Sequence, residues 1–170
     1  EHHNGLPADG ISIGGFMVGE SKEQTWSMLG ETTALLREDR PRYLMGVGTP
    51  LDLWDSIACG IDMMDCVYPT RVARTGQVMA SGGKFNVTNT RFRRDFTPLD
   101  PECSCFVCAR YTRAYLGPLL RSKELAAYRL LSYHNLHFME QTTVAIRAAI
   151  RSGRFAAARA EFRARYAPAA

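Results

Sequence analysis

Strand and helix patterns alternate through the first 67 residues, and this alternation limits the folds that the chain can adopt. Short apolar segments at residues 10–16, 43–47 and 60–67 have the composition of buried strands. A helical pattern follows each of the first two segments and begins after a good N-cap residue, Ser21 or Thr49. The order βαβαβ predicts an α/β protein with a parallel sheet.

The three predicted strands end in residues suited to ligand binding. These ends are Gly14-Gly15, Met45-Gly46 and Asp65. Because ligands of parallel sheets collect at the carboxyl ends of the strands, we expect these residues to lie on one rim. The pattern fits an open sheet or a (β/α)8 barrel. Three strands cannot close a barrel, so a barrel would require further sequence.

Residues 60–74, GIDMMDCVYPTRVAR, combine a strand, two carboxylates and a Thr-Arg-x-x-Arg segment suited to phosphate. Asp62 and Asp65 are three residues apart, and odd separations along a strand point to opposite faces. Asp62 is therefore a poor candidate for a second acid/base group beside Asp65. The alternative is that both aspartates only cap neighbouring helices.

Three cysteines within six residues, Cys103, Cys105 and Cys108, form the strongest local signal of the chain. Thiolates at this spacing repel one another unless a cation holds them, and Cys3His is a common closed zinc site. His134 and His137 are both candidates for the fourth ligand, and spacing does not choose between them. A redox role for the thiols is an alternative.

Composition is that of one globular domain of 170 residues, 46% hydrophobic, with a net charge of +4. Basic residues concentrate in residues 71–94 and 147–165, which indicates a polyanionic partner or, for the second run, a solvated helix face. The sequence contains no run of 18 apolar residues, so no membrane span is expected. Five cysteines without a signal-peptide pattern argue against a disulfide framework, and the first residues suggest a start within a domain.

The remaining pattern predicts a hairpin, helices and a basic tail. Glycines at residues 82 and 83 favour a turn within residues 77–90. We expect one helix over 119–133, a second with Leu136, Met139, Ile146 and Ile150 on one face, and a tail helix containing Phe155, Phe162 and Tyr166. The expected organisation is a first domain at 1–75 and a second at 76–170.

Five motifs together resemble the C-terminal half of the bacterial-type tRNA-guanine transglycosylases. They are IGGFMVGE (13–20), PRYLMGVGTP (41–50), GIDMMDCVYPTRVAR (60–74), PLDPECSCFVC (98–108) and HNL (134–136). The resemblance implies the C-terminal part of a TIM barrel, with about three βα units, a zinc-binding subdomain and C-terminal helices. It also implies a cytoplasmic enzyme that is usually a homodimer.

The resemblance further implies roles for individual residues. Asp65 takes the position of the catalytic nucleophile. The zinc ligands would be Cys103, Cys105, Cys108 and His134, around one structural Zn²⁺. The incoming base would contact Gly14, Gly15, Phe16, Met17 and Met45. The tRNA would contact one segment of Gly46, Val47, Gly48, Thr49, Pro50, Leu51 and Asp52, and a second of Thr70, Arg71, Val72, Ala73 and Arg74.

The activity implied by the resemblance is base exchange in tRNA. Guanine at the wobble position of tRNAs with GUN anticodons would be replaced by preQ1, in queuosine biosynthesis, through a covalent Asp-ribosyl intermediate. We expect the isolated segment to be inactive without an N-terminal half. The alternative is a non-catalytic, zinc-stabilised tRNA-binding subunit, against which the complete motif around Asp65 argues.

Overall fold

The computed structural model describes residue 5 and residues 7–167, which divide into two compact units. The first unit ends at Val67 and the second begins at Tyr68. We expected this boundary after residue 75. It lies earlier because the helix that begins at Tyr68 packs on the long helix and the hairpin that follow it.

The first unit is a three-stranded parallel sheet with helices between its strands. Its elements are β1 (Ile11–Ile13), α1 (Lys22–Ala34), β2 (Arg42–Leu44), α2 (Pro50–Ala58) and β3 (Met63–Met64). The strand order is β1-β2-β3, and Leu44 lies opposite Ile13 on one side and Met64 on the other. The predicted βαβαβ order and parallel sheet are confirmed, with strands shorter than predicted.

Both helices of the first unit begin where the sequence predicts. The Ser21 hydroxyl accepts a hydrogen bond from the Gln24 N–H, and the Gln24 side chain accepts one from the Ser21 N–H. Thr49 and Asp52 form the same reciprocal capping box at α2. Each box satisfies backbone donors that the first helical turn cannot.

The apolar core of the first unit lies between the sheet and its helices. Its buried members are Ile13, Leu29, Leu44, Val47 and Ile61. Leu29, from α1, is fully buried. This core therefore supports the strand ends that carry the candidate site.

The second unit combines a hairpin with helices. Its elements are α3 (Tyr68–Ala73), β4 (Gln77–Ala80), β5 (Gly83–Asn86), a 3-10 turn (Thr90–Phe92), α4 (Phe106–Arg110), α5 (Arg113–Arg121), α6 (Leu125–Arg151) and α7 (Phe155–Tyr166). The hairpin is confirmed, since Ala80 pairs with Gly83 across a two-residue turn. The predicted tail helix is also confirmed.

The prediction of two helices over residues 119–150 was wrong. A single helix of 27 residues, α6, covers most of this range, and α5 ends at Arg121. The expected break falls where His134 and Asn135 are both completely buried. Leu136 and Ile150, expected on the inner face, are each about half exposed, and the buried side of α6 instead includes the polar residues His134, Asn135 and Thr142.

No helix in the described part of the chain is long and apolar enough to cross a membrane.

Candidate active site and metal centre

Asp65 directly follows β3, at the carboxyl end of the parallel sheet. Its Oδ1 atom accepts two hydrogen bonds, from the Tyr43 hydroxyl at 2.6 Å and from the Gly46 N–H at 2.9 Å. Gly46 has a φ of 73°, a conformation that glycine adopts without the strain of a side chain. The end of β2 is therefore shaped to bind one oxygen of the Asp65 carboxylate.

The two donors favour the ionised form of Asp65. Hydrogen bonds from Tyr43 and then from Gly46 hold the pKa of Asp65 below its ordinary value. The same contact raises the pKa of Tyr43, which keeps its proton. Both of these hydrogen bonds go to Oδ1, and Asp65 as a whole is exposed.

Asp62 serves a different purpose. Its carboxylate accepts a hydrogen bond of 2.9 Å from the N–H of Arg42, which is the first residue of β2. Asp65 instead lies beside Gly46, beyond the last residue of β2. The two carboxylates thus bind opposite ends of one strand, and neither caps a helix.

The segment proposed to hold the incoming base follows β1. Gly14 and Gly15 are exposed, whereas Phe16 and Met17 are half-buried against the core of the first unit. A Cβ atom on Gly14 would lie 3.5 Å from the sulfur of Met45, so the ends of β1 and β2 are adjacent. The structure brings these five predicted residues to the same edge of the sheet as Asp65.

Glu20 holds the backbone of this segment, a role that sequence analysis missed. Its carboxylate accepts hydrogen bonds from the N–H groups of Met17 and Val18 and from the hydroxyl of Thr25. Bonds from its own N–H and from that of Met17 lower the pKa of Glu20. Met17 has a φ of 61°, which is unusual for a residue with a side chain, and the Glu20 contacts stabilise it.

The first predicted RNA-binding segment is largely buried. Val47, Gly48, Pro50 and Asp52 are buried, Thr49 and Leu51 are partly buried, and Gly46 is exposed. The Asp52 carboxylate forms the capping box and an ion pair of 2.5 Å with Lys22. Gly46 therefore offers the most accessible surface in this segment.

The second predicted RNA-binding segment has one inner and one outer face. Ala73 is completely buried and Thr70 and Val72 are partly buried, whereas Arg71 and Arg74 are exposed. Residues three apart lie on the same side of a helix, so the two guanidinium groups project from the same side of α3 and its end. This surface can contact neighbouring phosphates.

The four residues Cys103, Cys105, Cys108 and His134 come together in the second unit, and their ligand atoms lie within 4.8 Å of one another. The Nδ1 atom of His134 lies 3.8, 3.5 and 3.3 Å from the three sulfurs, in that order. Ligands of a tetrahedral zinc ion, with Zn–S of about 2.3 Å and Zn–N of about 2.0 Å, are separated by similar distances. The four side chains therefore form a candidate metal centre, and they fit zinc.

The surroundings of the centre orient its ligands. The Nε2 atom of His134 lies 2.8 Å from the carbonyl oxygen of Met79, which directs Nδ1 towards the sulfurs. Burial opposes ionisation of Cys105, but hydrogen bonds from His134 and from the Cys108 N–H outweigh it and lower the pKa of Cys105 to about 6. A thiolate is the form that binds metal. His137 is not part of the cluster, so of the two candidate histidines it is His134 that lies with the cysteines.

Asp100 is a second residue that sequence analysis missed. It is almost completely buried, and its carboxylate accepts hydrogen bonds from the N–H and hydroxyl of Ser81 in the hairpin turn. Its carbonyl oxygen accepts one from the Cys103 N–H. Asp100 therefore links the hairpin to the loop that carries the cysteines. In the sequence, only its position just before the cysteine motif could have indicated this role.

Comparison with known proteins is consistent with both the candidate active site and the candidate metal centre. Residues 1–168 match the family model described as queuine tRNA-ribosyltransferase. The chain is similar to curated queuine tRNA-ribosyltransferases from Halothermothrix orenii (49% identity over 157 residues, 92% of this chain), Solidesulfovibrio magneticus (51% over 158, 93%) and Bacillus subtilis (49% over 161, 95%).

These alignments cover only part of each relative. The chain spans 42% of the length of each of the three relatives. The matched region nevertheless includes every candidate residue described above. The match extends over nearly the whole chain, and the chain therefore belongs to the queuine tRNA-ribosyltransferase family.

Proposed function

We propose that the protein is a tRNA-guanine transglycosylase in which Asp65 is the nucleophile. The observation that carries this proposal is the position of Asp65, an exposed residue at the end of β3 whose Oδ1 is held by Tyr43 and Gly46. A lowered pKa keeps the carboxylate ionised at neutral pH, as nucleophilic attack requires. The substrates are a tRNA anticodon loop with guanine at the wobble position and preQ1 as the incoming base.

In the first step the bond between guanine and C1′ of its ribose breaks. Positive charge develops at C1′, and the Asp65 carboxylate stabilises it and then forms an O–C1′ bond. Guanine leaves with the electron pair of the broken bond and takes up a proton. The product is a covalent RNA–enzyme ester on Oδ2, with Oδ1 still bound by Tyr43 and Gly46.

In the second step preQ1 attacks C1′ from the face that guanine left. The new C1′–N bond forms as the ester bond to Asp65 breaks, the base loses a proton, and the carboxylate is restored. Two inversions give net retention of configuration. Gly14, Gly15, Phe16, Met17 and Met45 lie at the same edge of the sheet as Asp65, and we assign the incoming base to them.

RNA binding is assigned to the two predicted segments. Arg71 and Arg74 would bind phosphates beside the wobble nucleotide, which must leave its stack to reach Asp65. In residues 46–52 the exposed Gly46 would contact RNA directly. The buried residues of that segment, with the Thr49 and Asp52 cap, would fix its backbone.

The metal centre is assigned a structural role with Zn²⁺ as the ion. The candidate ligands are Cys103, Cys105, Cys108 and His134, and four protein ligands leave no coordination position for a substrate. Such an ion would stabilise the fold of the second unit. All chemistry on the ribose is therefore assigned to residues of the first unit.

The experiment that tests the proposal is detection of the covalent intermediate. The intact protein containing this chain is incubated with an anticodon stem-loop RNA and a slowly reacting base, and is analysed by mass spectrometry under denaturing conditions. We expect an RNA adduct that maps to Asp65 and is absent from Asp65→Asn. The matched control is Asp62→Asn, three residues away, which should retain the adduct.

The opposite result favours a different function. If the wild-type protein binds RNA but forms no adduct, the protein is a zinc-stabilised tRNA-binding subunit without activity. An adduct that persists in Asp65→Asn would show that another group is the nucleophile. Both results are distinct from a loss of RNA binding, which is measured separately by fluorescence anisotropy.

Three further features are proposed from the family resemblance. The parallel sheet would form part of a TIM barrel, the protein would be a homodimer, and its compartment would be the cytoplasm. The dimer is tested by analytical ultracentrifugation of the intact protein, where a monomer at micromolar concentration would contradict it.

A further inference from the structure

We propose that Asn135 is a positioning residue that couples the metal centre to the RNA-binding arginines of α3. The inference rests on the proposed function, because it takes Arg71 and Arg74 as phosphate ligands. Asn135 takes no part in the proposed chemical steps. The argument depends on three hydrogen bonds of one buried side chain.

Asn135 is completely buried in the second unit, and its side chain bonds only to backbone groups of other segments. Its Oδ1 accepts from the N–H of Met79 at 3.1 Å. Its Nδ2 donates to the carbonyl oxygens of Pro69 and Gln77, each at 3.0 Å. Both amide protons are therefore used. A buried amide is tolerated when it is bonded in this way and is costly when it is not.

The contacts with β4 resemble those of a neighbouring strand. Gln77 and Met79 are two residues apart, and Asn135 bonds the carbonyl of one and the N–H of the other. A peptide group of an adjacent strand would satisfy the same pair. Asn135 thus occupies the edge of the hairpin that β5 does not cover, and it ties this edge to α6.

The metal ligand His134 binds the same residue of β4. Its Nε2 atom lies 2.8 Å from the carbonyl oxygen of Met79, while its Nδ1 atom faces the three sulfurs. Consecutive residues of α6 therefore bind the carbonyl and the N–H of Met79. A displacement of His134 on loss of metal would displace Asn135 as well, because both lie on one rigid helical turn.

The third hydrogen bond carries the connection to α3. Pro69 lies in the first turn of α3, immediately before Thr70 and Arg71. Ala73, also in α3, is completely buried in the same apolar cluster as Cys105 and Leu131. The inner face of α3 is thus fixed by Asn135 and by the core around the metal ligands, and its outer face carries the arginines.

The consequence is that metal binding and RNA binding are linked through α3. With Asn135 in place, α3 is held in one orientation and both guanidinium groups can bind phosphate at once. Without the hydrogen bond from Asn135 to the Pro69 carbonyl, both arginines are still present, but α3 is no longer held in that orientation. The RNA affinity should therefore fall even when the metal remains bound.

The test uses Asn135→Ala in the intact protein, with an anticodon stem-loop RNA as the probe. We expect one metal ion per chain, as in the wild type, and an RNA dissociation constant raised by about tenfold. The slope of the logarithm of the binding constant against the logarithm of the salt concentration should become shallower, by about one for each phosphate that the arginines no longer bind. The matched control is Thr142→Val, a buried residue of α6 whose hydroxyl bonds only within the helix, to the Phe138 carbonyl. It should leave RNA affinity unchanged.

A double-mutant cycle separates positioning from general destabilisation. Asn135→Ala is combined with Arg71→Ala and Arg74→Ala, and RNA affinity is measured for each variant. We expect Asn135→Ala to have little further effect once both arginines are removed, since it acts through them. An equal loss of affinity with and without the arginines would overturn the inference. If the arginine variants bind RNA as tightly as the wild type does, Arg71 and Arg74 do not bind phosphate and this inference is overturned. The adduct experiment on Asp65 tests the proposed function independently of that result.

A second measurement applies even if Asn135→Ala does not fold. Hydrogen exchange of the wild-type protein is compared before and after metal removal by a chelator. We expect faster exchange in residues 70–76 as well as around the cysteines. Unchanged exchange in residues 70–76, with loss of protection confined to residues 103–108, would contradict the coupling.

Discussion

The hydroxyl of Tyr43 donates a hydrogen bond of 2.6 Å to Oδ1 of Asp65, from the neighbouring parallel strand. With the Gly46 N–H, it orients the carboxylate and distinguishes its two oxygens. Under the proposed function, Oδ1 would remain bound to the protein while the other oxygen attacks the ribose. This arrangement explains how an exposed aspartate can have a defined direction of attack.

Tyr43→Phe should raise the pKa of Asp65. The Tyr43 hydroxyl is the main cause of the lowered value, so its loss should move the pKa back towards 3.8. Asp65 must be ionised to react, so the acid limb of adduct formation should move to higher pH. The measurement is ¹³C NMR of the Asp65 carboxyl carbon during titration, with Asp65→Asn to assign its resonance.

An unchanged Asp65 titration in Tyr43→Phe would show that the Tyr43 hydroxyl does not lower the pKa of Asp65. The control is the adduct yield well above the pKa, where both proteins have an ionised Asp65. Any loss of rate there reflects misorientation of the carboxylate and not its protonation.

His134→Ala should abolish metal binding, whereas His137→Ala should retain it. The Nδ1 atom of His134 lies within 3.8 Å of all three sulfurs, and His137 lies outside the cluster. Zinc per chain is measured by atomic emission after dialysis. In the wild type, bound zinc should also protect the three thiols from alkylation, and rapid alkylation of the zinc-loaded protein would favour a redox role.

Arg71→Ala and Arg74→Ala should each weaken RNA binding. Each should also reduce the slope of log binding constant against log salt concentration by about one, which corresponds to one lost phosphate contact. Arg71 in α3 and Arg74 directly after it are both exposed, so phosphates can reach them. Binding of the stem-loop is measured at several salt concentrations. Arg129→Ala is the control, because Arg129 is exposed on α6 outside both basic runs. Equal losses in all three variants would indicate a nonspecific charge effect.

Ser21→Ala should destabilise the protein by about 1 kcal/mol, since the hydroxyl accepts the Gln24 N–H at the start of α1. Urea denaturation followed by circular dichroism measures the free energy of unfolding. Ser27→Ala, within the exposed part of the same helix, is the control and should change stability little. A larger loss in the control would show that the cap contributes nothing specific.

Sequence patterns predicted the features that depend on neighbours in the chain. The capping box joins Ser21 to Gln24, three positions further along the chain, and could be recognised directly. The strand and helix order, the hairpin turn and the three cysteines are equally local signals. The five motifs were sufficient to place the chain in its family, which the comparisons confirm.

Only the tertiary structure decided how distant residues are used. Tyr43 and Asp65 are 22 residues apart, and Asn135 and Gln77 are 58 apart, so no periodic pattern connects either pair. Polar residues such as His134 and Asn135 are expected outside a helix core. They are buried here because backbone groups of β4 and α3 bind them, and this also explains why α6 continues where a break was predicted. The local sequence thus determined the elements, and the pairing of buried polar groups determined how those elements form the site.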